Sequence, residues 1–453
     1  MRALLSCRGS WTLLALAWVA GCGRQPDRGQ AILAAYDAIA AASLWPGFAP
    51  DSVPLAVYDG RTTYLLRHPD PPAEFSPVAG RPDLWSFTGQ YEAVRANTST
   101  EIGGALTATL LSGGDTTRAP ARLAAVLVHE AFHVYQRQHH PAWQANEVEL
   151  FVYPVEDAGL LAARRLETEA LRRALGASDD RARACWAGRA LAIRQARYAG
   201  MSDGSIGYER GSELIEGLAR YIENRVTGEG QAALPEGGTF AADDVRARAY
   251  AVGAAFATVL DALAPDWRAR LVQGAATSLD DLLGQVLAVR EAAGCAFSAD
   301  ERSAARSRAE SDIAELVDQR VALRREFLAV AGPRLVIEAA DDVLLWPEVF
   351  DPSNVHRLSA TEVLHTRWLV LSNAGSRLEV LDRSALSEGV GPHPLFNGVR
   401  RLTVTGLPGE PVVREVEGGV VIEAPGFAGS FAGARLERDG TTLVVRLVAA
   451  PSD

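Results

Sequence analysis

The sequence predicts an α+β protein with a small N-terminal sheet, a mainly helical region and a C-terminal all-β region. Three changes in residue pattern along the chain lead to this prediction. Short apolar runs bounded by Gly, Pro and Asp occupy residues 50–115, as is typical of strands and turns. Residues 118–330 are rich in Ala, Leu and Arg at helical spacing, and strand-like runs separated by glycine turns return after Pro333.

The N-terminus has the pattern of an export signal. In "MRALLSCRGSWTLLALAWVAGCG", arginines precede an apolar stretch that ends in small residues. Its end, "VAGC" at 19–22, resembles the lipobox of bacterial lipoproteins, which implies that residues 1–21 are a signal peptide and that Cys22 carries a lipid. Because Gly23 and not Asp follows this cysteine, we expect an exported lipoprotein of the outer membrane, facing the periplasm or the outside.

Composition and charge narrow the range of partners. The chain is 48% hydrophobic and 22% charged, as in an ordinary globular protein. Its net charge of −11 argues against binding to nucleic acid. We therefore expect no nucleic acid and no nucleotide cofactor among its partners, and contact with the membrane only through the lipid on Cys22.

Two cysteines remain once the signal peptide and the lipidated residue are set aside. Cys185 and Cys295 would face an oxidising compartment, where they could form one disulfide closing a long loop. They could equally be two unpaired, buried small residues. The sequence leaves this choice open.

Residues 22–330 are expected to form one domain. A short tether leads to a helix over "GQAILAAYDAIAAA", and the strands of 50–115 follow. Further helices are predicted over the following segments: 119–139, 155–175, 181–199, 208–226, 241–263, 278–292 and 298–330.

Residues 333–453 are expected to form a second, β-rich domain. Its short strands with Gly and Asp-Gly turns favour a small sandwich or barrel. The segment "ERDGTTLVVRL" predicts a β-hairpin, because Asp-Gly separates two strand-like runs.

The stretch "VLVHEAFHVYQ", residues 126–136, carries the strongest chemical signal. His129 and His133 are four residues apart, so a helix places both imidazoles on one face, where they can bind one ion. Glu130 lies roughly 100° further round the helix axis, where a general base can take a proton from a metal-bound water. Because the flanking residues are apolar, these three polar side chains need partners or a ligand.

This His-Glu-x-x-His pattern resembles the zincins, the HExxH zinc metallopeptidases. In that family a strand region precedes the motif helix and a helical region follows it, which is the order predicted here. The resemblance implies one Zn²⁺ ion held by His129 and His133 together with a third ligand. It also implies that Glu130 is the general base in the hydrolysis of a peptide or protein substrate.

One candidate for the third ligand lies nearby. The segment "HEAFHVYQRQH" is similar to the metzincin signature HExxHxxGxxH, which implies that His139 is a ligand. However, Gln136 stands where that signature has the glycine whose left-handed turn swings the third histidine back to the metal. If the helix simply continues, His139 lies nearly three turns along the axis and cannot reach the ion.

The other candidate lies further along the chain. The segment "EGLARYIE", residues 216–223, is similar to the "EGFAxYxE" segment of the aminopeptidase-type gluzincins, which implies that Glu216 is the third ligand. Gly217 would let this helix approach the motif helix closely. Glu213 is the alternative ligand on the same helix. Three more glutamates, in a longer connection than that family has, also stay open as ligands: Glu147, Glu149 and Glu169.

The substrate class is less defined than the site. The gluzincin aminopeptidases bind a free amine through a Gly-x-Met-Glu-Asn strand, and the corresponding "IGGALTATLLSGG" lacks the Met-Glu-Asn residues. This strand could instead pair with an extended peptide. Tyr208 and Tyr221 are candidates to steady the oxyanion. The alternative from another class is a non-catalytic surface lipoprotein that acts as a binding module, with a degenerate or structural metal site.

No metal role is expected for five other histidines, which are scattered through turns and the C-terminal region: His68, His140, His356, His365 and His393.

Overall fold

The computed structural model describes residues 27–40, 43–113, 117–228, 233–289 and 294–448. These residues form an N-terminal six-stranded sheet, a helical middle, and a C-terminal region of one seven-stranded and one six-stranded sheet. The expected mixture of helices and sheets, in this order along the chain, is therefore confirmed. The predicted signal peptide and Cys22 lie outside the described residues.

The N-terminal sheet covers one side of the helical region. One helix and six strands make up this part: α1 (Arg28–Ala40), β1 (Leu55–Tyr58), β2 (Thr62–Leu66), β3 (Ser76–Val78), β4 (Arg81–Thr88), β5 (Thr98–Ile102) and β6 (Ala105–Leu111). The strand order is β3-β4-β2-β1-β6-β5, and β1 runs antiparallel to β2 and parallel to β6. Side chains alternate between two cores, since Leu55 and Val57 join the main core whereas Ala56 joins a smaller cluster.

The position of β6 corrects one expectation. This strand, part of the "IGGALTATLLSGG" segment, lies between β1 and β5 and makes hydrogen bonds to both. It is not an edge strand, so it cannot take up an extended peptide by strand addition.

The helical region contains nine α-helices among the described residues: α2 (Pro120–His139), α3 (Ala158–Leu175), α4 (Asp180–Tyr198), α5 (Asp203–Ser212), α6 (Leu218–Thr227), α7 (Val245–Leu263), α8 (Trp267–Val272), α9 (Leu279–Ala288) and α10 (Ala299–Ala329). The sequence predicts most of these within a few residues. Helix α3 begins at Ala158 and not at 155 because the Asp157 carboxylate accepts the Leu160 backbone N–H at 2.9 Å and caps the helix.

One predicted helix is interrupted. The sequence predicts a single helix over 208–226, but a π-helical turn at Glu213–Gly217 separates α5 from α6. Such turns free backbone carbonyls from the regular hydrogen-bond ladder and occur frequently at functional sites. The interruption lies next to Glu216.

A buried cluster of charges joins four helices. Glu167 of α3 accepts hydrogen bonds from Arg194 and Arg197 of α4, and from Arg248 of α7, at 2.7 Å each. Arg197 also binds Glu209 of α5 at 2.6 Å. These side chains are at most 2% exposed, so water cannot replace a lost partner. Burial acts to raise the pKa of Glu167, but the three arginines lower it to about 2.

Cys185 and Cys295 form a disulfide, which answers the question that the sequence left open. The bond ties α4 to the segment before α10, across 110 residues. Closing so long a loop stabilises a fold by about 2–4 kcal/mol, chiefly by constraining the unfolded chain.

The C-terminal region consists of thirteen described strands: β7 (Arg334–Ala339), β8 (Trp346–Phe350), β9 (Val355–Arg357), β10 (Glu362–His365), β11 (Trp368–Asn373), β12 (Ser376–Leu381), β13 (Ala385–Gly389), β14 (Val399–Val404), β15 (Val412–Val416), β16 (Gly419–Ala424), β17 (Phe427–Ala432), β18 (Arg435–Asp439) and β19 (Thr442–Leu447). The sheets have the orders β18-β19-β7-β14-β13-β10-β9 and β15-β16-β17-β12-β11-β8. Neighbours are antiparallel except β7 and β19.

Both of these sheets face one apolar core, so the region is a β-sandwich. Ile337 and Leu402 come from one sheet, and Leu371 and Ile422 come from the other. The predicted hairpin is confirmed as β18 and β19.

A buried aromatic contact holds the sandwich against the helical region. Phe151, in a short 3₁₀ segment after α2, belongs to the core of the sandwich. Its ring centroid lies 5.3 Å from that of Phe350 and 5.7 Å from that of His393. His393 Nε2 lies 3.0 Å from the carbonyl oxygen of Val148. The two regions therefore meet at this 3₁₀ segment.

We expect Arg197→Met to lower the free energy of unfolding by about 3–5 kcal/mol, because two buried carboxylates lose a partner. Urea unfolding measures this change. The control is Arg306→Met, since the Arg306–Glu310 pair is 54% and 55% exposed and should contribute less than about 1 kcal/mol. Equal effects of the two substitutions would contradict a structural role for the buried cluster.

The same cluster makes the free energy of unfolding depend on pH. The folded-state pKa of Glu167 lies below its ordinary value of 4.5. The stabilisation that its ionised carboxylate gives to the fold is therefore present above pH 4.5 and is lost as the pH falls towards 2.

Candidate metal centre

Helix α2 brings the two motif histidines together in the interior. Pro120 occupies its first turn, and apolar residues cover most of its circumference, so it packs between β6 and α6. His129 and His133 lie one turn apart with ring centroids 4.8 Å from each other. Their side chains are only 8% and 12% exposed.

Glu216 completes the group from the π-helical turn. Its Oε2 atom lies 3.5 Å from Nε2 of His129 and 3.3 Å from Nε2 of His133. The candidate ligand atoms of the three residues all lie within 4.8 Å of one another. A single metal ion can be held by this buried group.

Hydrogen bonds fix which histidine atoms face Glu216. The Gln136 amide nitrogen donates to the backbone carbonyls of Leu214 and Ile215 at 3.2 and 3.0 Å. Its Oε1 therefore faces Nδ1 of His133, at 2.7 Å, and requires a proton on that nitrogen. This leaves a lone pair on His133 Nε2, directed at the carboxylate oxygen of Glu216.

The same logic applies to His129. Oε2 of Glu223 lies 3.3 Å from its Nδ1, which favours a proton on that nitrogen and a lone pair on Nε2. Burial acts to lower the pKa of His129, but Glu216 and Glu223 raise it to about 10. The centre therefore favours an additional positive charge, which either a proton or a metal ion can supply.

The two carboxylate oxygens of Glu216 show how a cation fits. Oε1 accepts a hydrogen bond from Arg246 at 2.7 Å, whereas Oε2 is buried and accepts none from the described residues. A buried carboxylate oxygen without a donor is unfavourable by about 1–3 kcal/mol or more. Two imidazole lone pairs and this oxygen converge, and a cation between them would satisfy all three.

Two glycines let the π turn that carries Glu216 pack closely against α7. A Cβ atom on Gly217 would lie 2.5 Å from Cα of Gly253, and one on Gly253 would lie 2.5 Å from the carbonyl oxygen of Glu213. The π turn and α7 therefore pack backbone to backbone. Contrary to the expectation from the sequence, Gly217 does not clear space for the motif helix, because its neighbours belong to α7.

Glu130 lies on the same helix as the histidines and is 7% exposed. Burial raises the pKa of its carboxyl group, while His129 and His133 act to lower it. Tyr250 of α7 stacks on His129, with ring centroids 6.0 Å apart and planes inclined by 13°. Arg246 donates to the Tyr250 hydroxyl at 3.1 Å and so links it to Glu216.

Arg246, Tyr250 and the role of Gln136 are not predicted by the sequence pattern. Arg246 and Tyr250 are four residues apart on a predicted helix, which shows that they share a face but not what that face contacts. The two tyrosines proposed from sequence lie elsewhere. Tyr208 donates to Glu147 at 3.2 Å, and Tyr221 donates to Asp261 at 2.7 Å.

The alternative ligands have other partners. Helix α2 continues to His139, whose Nδ1 lies 3.1 Å from the carbonyl oxygen of Tyr135. Glu213 binds Arg194 in the buried charge cluster. The structure places the remaining three glutamates outside the group as well, with these neighbours: Glu147 on Arg246, Glu149 against Gly204, and Glu169 on Arg172 and Arg173.

The scattered histidines also have ordinary contacts. Nε2 of His68 lies 2.8 Å from the carbonyl oxygen of Ile102, and Nε2 of His365 lies 3.0 Å from the Ser387 hydroxyl. Burial lowers the pKa of His365 to about 3. Neither histidine is part of the metal-binding group.

A cavity of about 720 Å³ adjoins the centre. Arg246 and Tyr250 form one part of its lining, and residues 352–357 of the sandwich region form another. The cavity thus extends from side chains that contact the candidate ligands to the surface of the second region. Its size is typical of small-molecule and peptide sites.

Comparisons of the chain with protein-family models, with curated proteins and with solved structures returned no match. Within the described ranges, no helix is both long and apolar enough to cross a membrane.

We expect the wild-type protein to bind one divalent metal ion per chain, and Glu216→Gln to lose it, because a neutral amide replaces the only carboxylate of the group. Elemental analysis after dialysis measures the content. His139→Ala is the control and should keep its metal. If His139→Ala lost the metal and Glu216→Gln kept it, the third ligand would be His139 and not Glu216.

Gln136→Leu should weaken metal affinity by about 10- to 100-fold, since His133 and two backbone carbonyls lose their partner. Competition with a chelating dye measures the affinity. Gln138→Leu, on the exposed side of the same helix, should bind as tightly as the wild type. Equal affinities for all three proteins would show that Gln136 does not orient His133.

Proposed function

We propose that the chain is a zinc-dependent peptide hydrolase of zincin type, with Zn²⁺ held by His129, His133 and Glu216. The observation that carries the proposal is the convergence of the Nε2 atoms of His129 and His133 on Oε2 of Glu216, which is buried and accepts no hydrogen bond from the described residues. Two histidines and a glutamate are a ligand set that zinc hydrolases use, and it leaves a coordination position open for chemistry.

The residues around the group have distinct roles in this proposal. A Zn²⁺ ion would polarise the scissile carbonyl and increase the acidity of a water molecule at its open position. Glu130 takes a proton from the attacking water as the new C–O bond forms, and delivers it to the amine as the C–N bond breaks. The Tyr250 hydroxyl, held by Arg246, is the nearest phenol to His129 and a candidate donor to the oxyanion.

Two groups behind the ligands orient the histidines, and the surroundings of Glu130 support a catalytic role for the centre. Gln136 forms a hydrogen bond with Nδ1 of His133, and Oε2 of Glu223 lies 3.3 Å from Nδ1 of His129. Both contacts favour Nε2 atoms that are directed at Glu216. Glu130 is not needed as a ligand and has no basic side chain as a close ion-pair partner among the described residues. Its carboxylate is therefore available for proton transfer.

Export and anchoring complete the proposal. The lipobox-like segment ending at Cys22 favours a lipid-anchored protein of the bacterial envelope. The disulfide between Cys185 and Cys295 supports an oxidising compartment, where such bonds persist. The substrates would then be peptides or proteins outside the cytoplasm.

Glu130→Gln should keep its zinc and lose at least about 100-fold in the rate of peptide hydrolysis, because the proton acceptor is removed while the ligands stay. Hydrolysis of labelled casein by the zinc-loaded full chain measures the rate. Glu101→Gln, an exposed glutamate on β5, is the control. A Glu130→Gln variant as active as the wild type would refute the mechanism. Zinc binding without hydrolysis in the wild type would favour a structural metal in a binding protein.

A further inference from the structure

The cavity beside the metal centre has a cationic wall that the proposed chemistry does not use. Arg320 of α10 and Arg357 of β9 both line it, one from the helical region and one from the sandwich. The two guanidinium groups lie close enough that the charge of Arg320 lowers the pKa of Arg357, in addition to the larger effect of burial.

These arginines have too few acceptors. Arg320 has a side chain only 8% exposed and binds Glu156 at 2.6 Å, yet its buried Nε–H has no acceptor among the described residues. Arg357 donates through Nε to the carbonyl oxygen of Ser359 at 3.2 Å. Glu156, which is half-exposed, is the only carboxylate that acts to raise the pKa of Arg357.

The other charged residues of the cavity do not neutralise this wall. Arg246 and Arg220 are paired with glutamates next to the metal centre. Asp243 and Asp244 also line the cavity, just before the first residue of α7. Neither aspartate is among the charges that shift the pKa of Arg357.

We propose that Arg320 and Arg357 form a subsite for a carboxylate of the peptide substrate, in the cavity that begins at Arg246 and Tyr250. This inference rests on the proposed function, and it names the substrate class as peptides with an acidic side chain or a free C-terminus in this position. It also gives the sandwich a role, since β9 supplies one of the two arginines. Guanidinium groups suit this task because their fixed donors match the two oxygens of a carboxylate.

Binding and cleavage are tested separately, so that failure of the hydrolase proposal does not obscure the result. The probes are fluorescein-labelled decapeptides of Ala and Ser with one Glu placed at successive positions, each paired with its Gln counterpart. Every peptide is made with a free C-terminus and with a C-terminal amide, which distinguishes a side-chain from a terminal carboxylate. Anisotropy with zinc-loaded Glu130→Gln measures binding, and the zinc-loaded wild type measures kcat/KM.

At least one carboxylate peptide should bind about tenfold or more tightly than its neutral partner. In the Arg357→Gln background this preference should disappear while the neutral peptide binds as before. Arg357→Lys should retain part of it. Arg377→Gln, an exposed arginine of the sandwich at 57% exposure, is the matched control and should leave the preference intact.

A second variant guards against misfolding of Arg357→Gln. Ser353→Asp places a carboxylate on an exposed position of the same cavity wall and should also reduce the preference. Equal binding of charged and neutral peptides by the wild type, or a preference that survives both Arg357→Gln and Ser353→Asp, would overturn the subsite. A preference in binding without any hydrolysis would keep the subsite and reject the hydrolase.

Discussion

The arrangement around the candidate centre depends on one electrostatic constraint: the Nε2 atoms of two histidines face a buried carboxylate oxygen, so the group needs a positive charge. Oε2 of Glu216 lies 3.3 and 3.5 Å from the Nε2 atoms of His133 and His129 and has no donor among the described residues. Such a juxtaposition of acceptors is unfavourable unless a positive charge lies between them. The surrounding residues hold this geometry in place, and either a proton or a metal ion can supply the charge.

Three features of the helical region maintain that geometry. The π turn presents Glu216 and frees the carbonyls that Gln136 binds, and Gln136 in turn orients His133. The close contact of Gly217 with Gly253 seats this turn on α7, which also supplies Arg246 to the other oxygen of Glu216. Behind the turn, buried ion pairs link α3, α4, α5 and α7. These links stabilise the position of the segment that carries Glu216.

The order of strand and helical regions and the two histidines of the candidate group can be predicted from local patterns, whereas Glu216 is predicted only by the resemblance of its segment to the gluzincins. Periodicity marks α2, and a spacing of four places His129 and His133 on one face. The contacts of Glu216, Tyr250 and Arg246 could not be derived in this way, since they arise where separate helices pack together. The role of Gln136 cannot be predicted from the spacing of residues, because its two hydrogen bonds to backbone carbonyls join α2 to the distant π turn. The π turn itself was missed since its residues favour a regular helix.

The most direct test of the central claim is a crystal structure of the zinc-loaded full chain with anomalous diffraction recorded on both sides of the zinc absorption edge. We expect one strong anomalous peak at bonding distance from Nε2 of His129, Nε2 of His133 and Oε2 of Glu216. No peak at this position, or a peak ligated by His139 in place of Glu216, would contradict it.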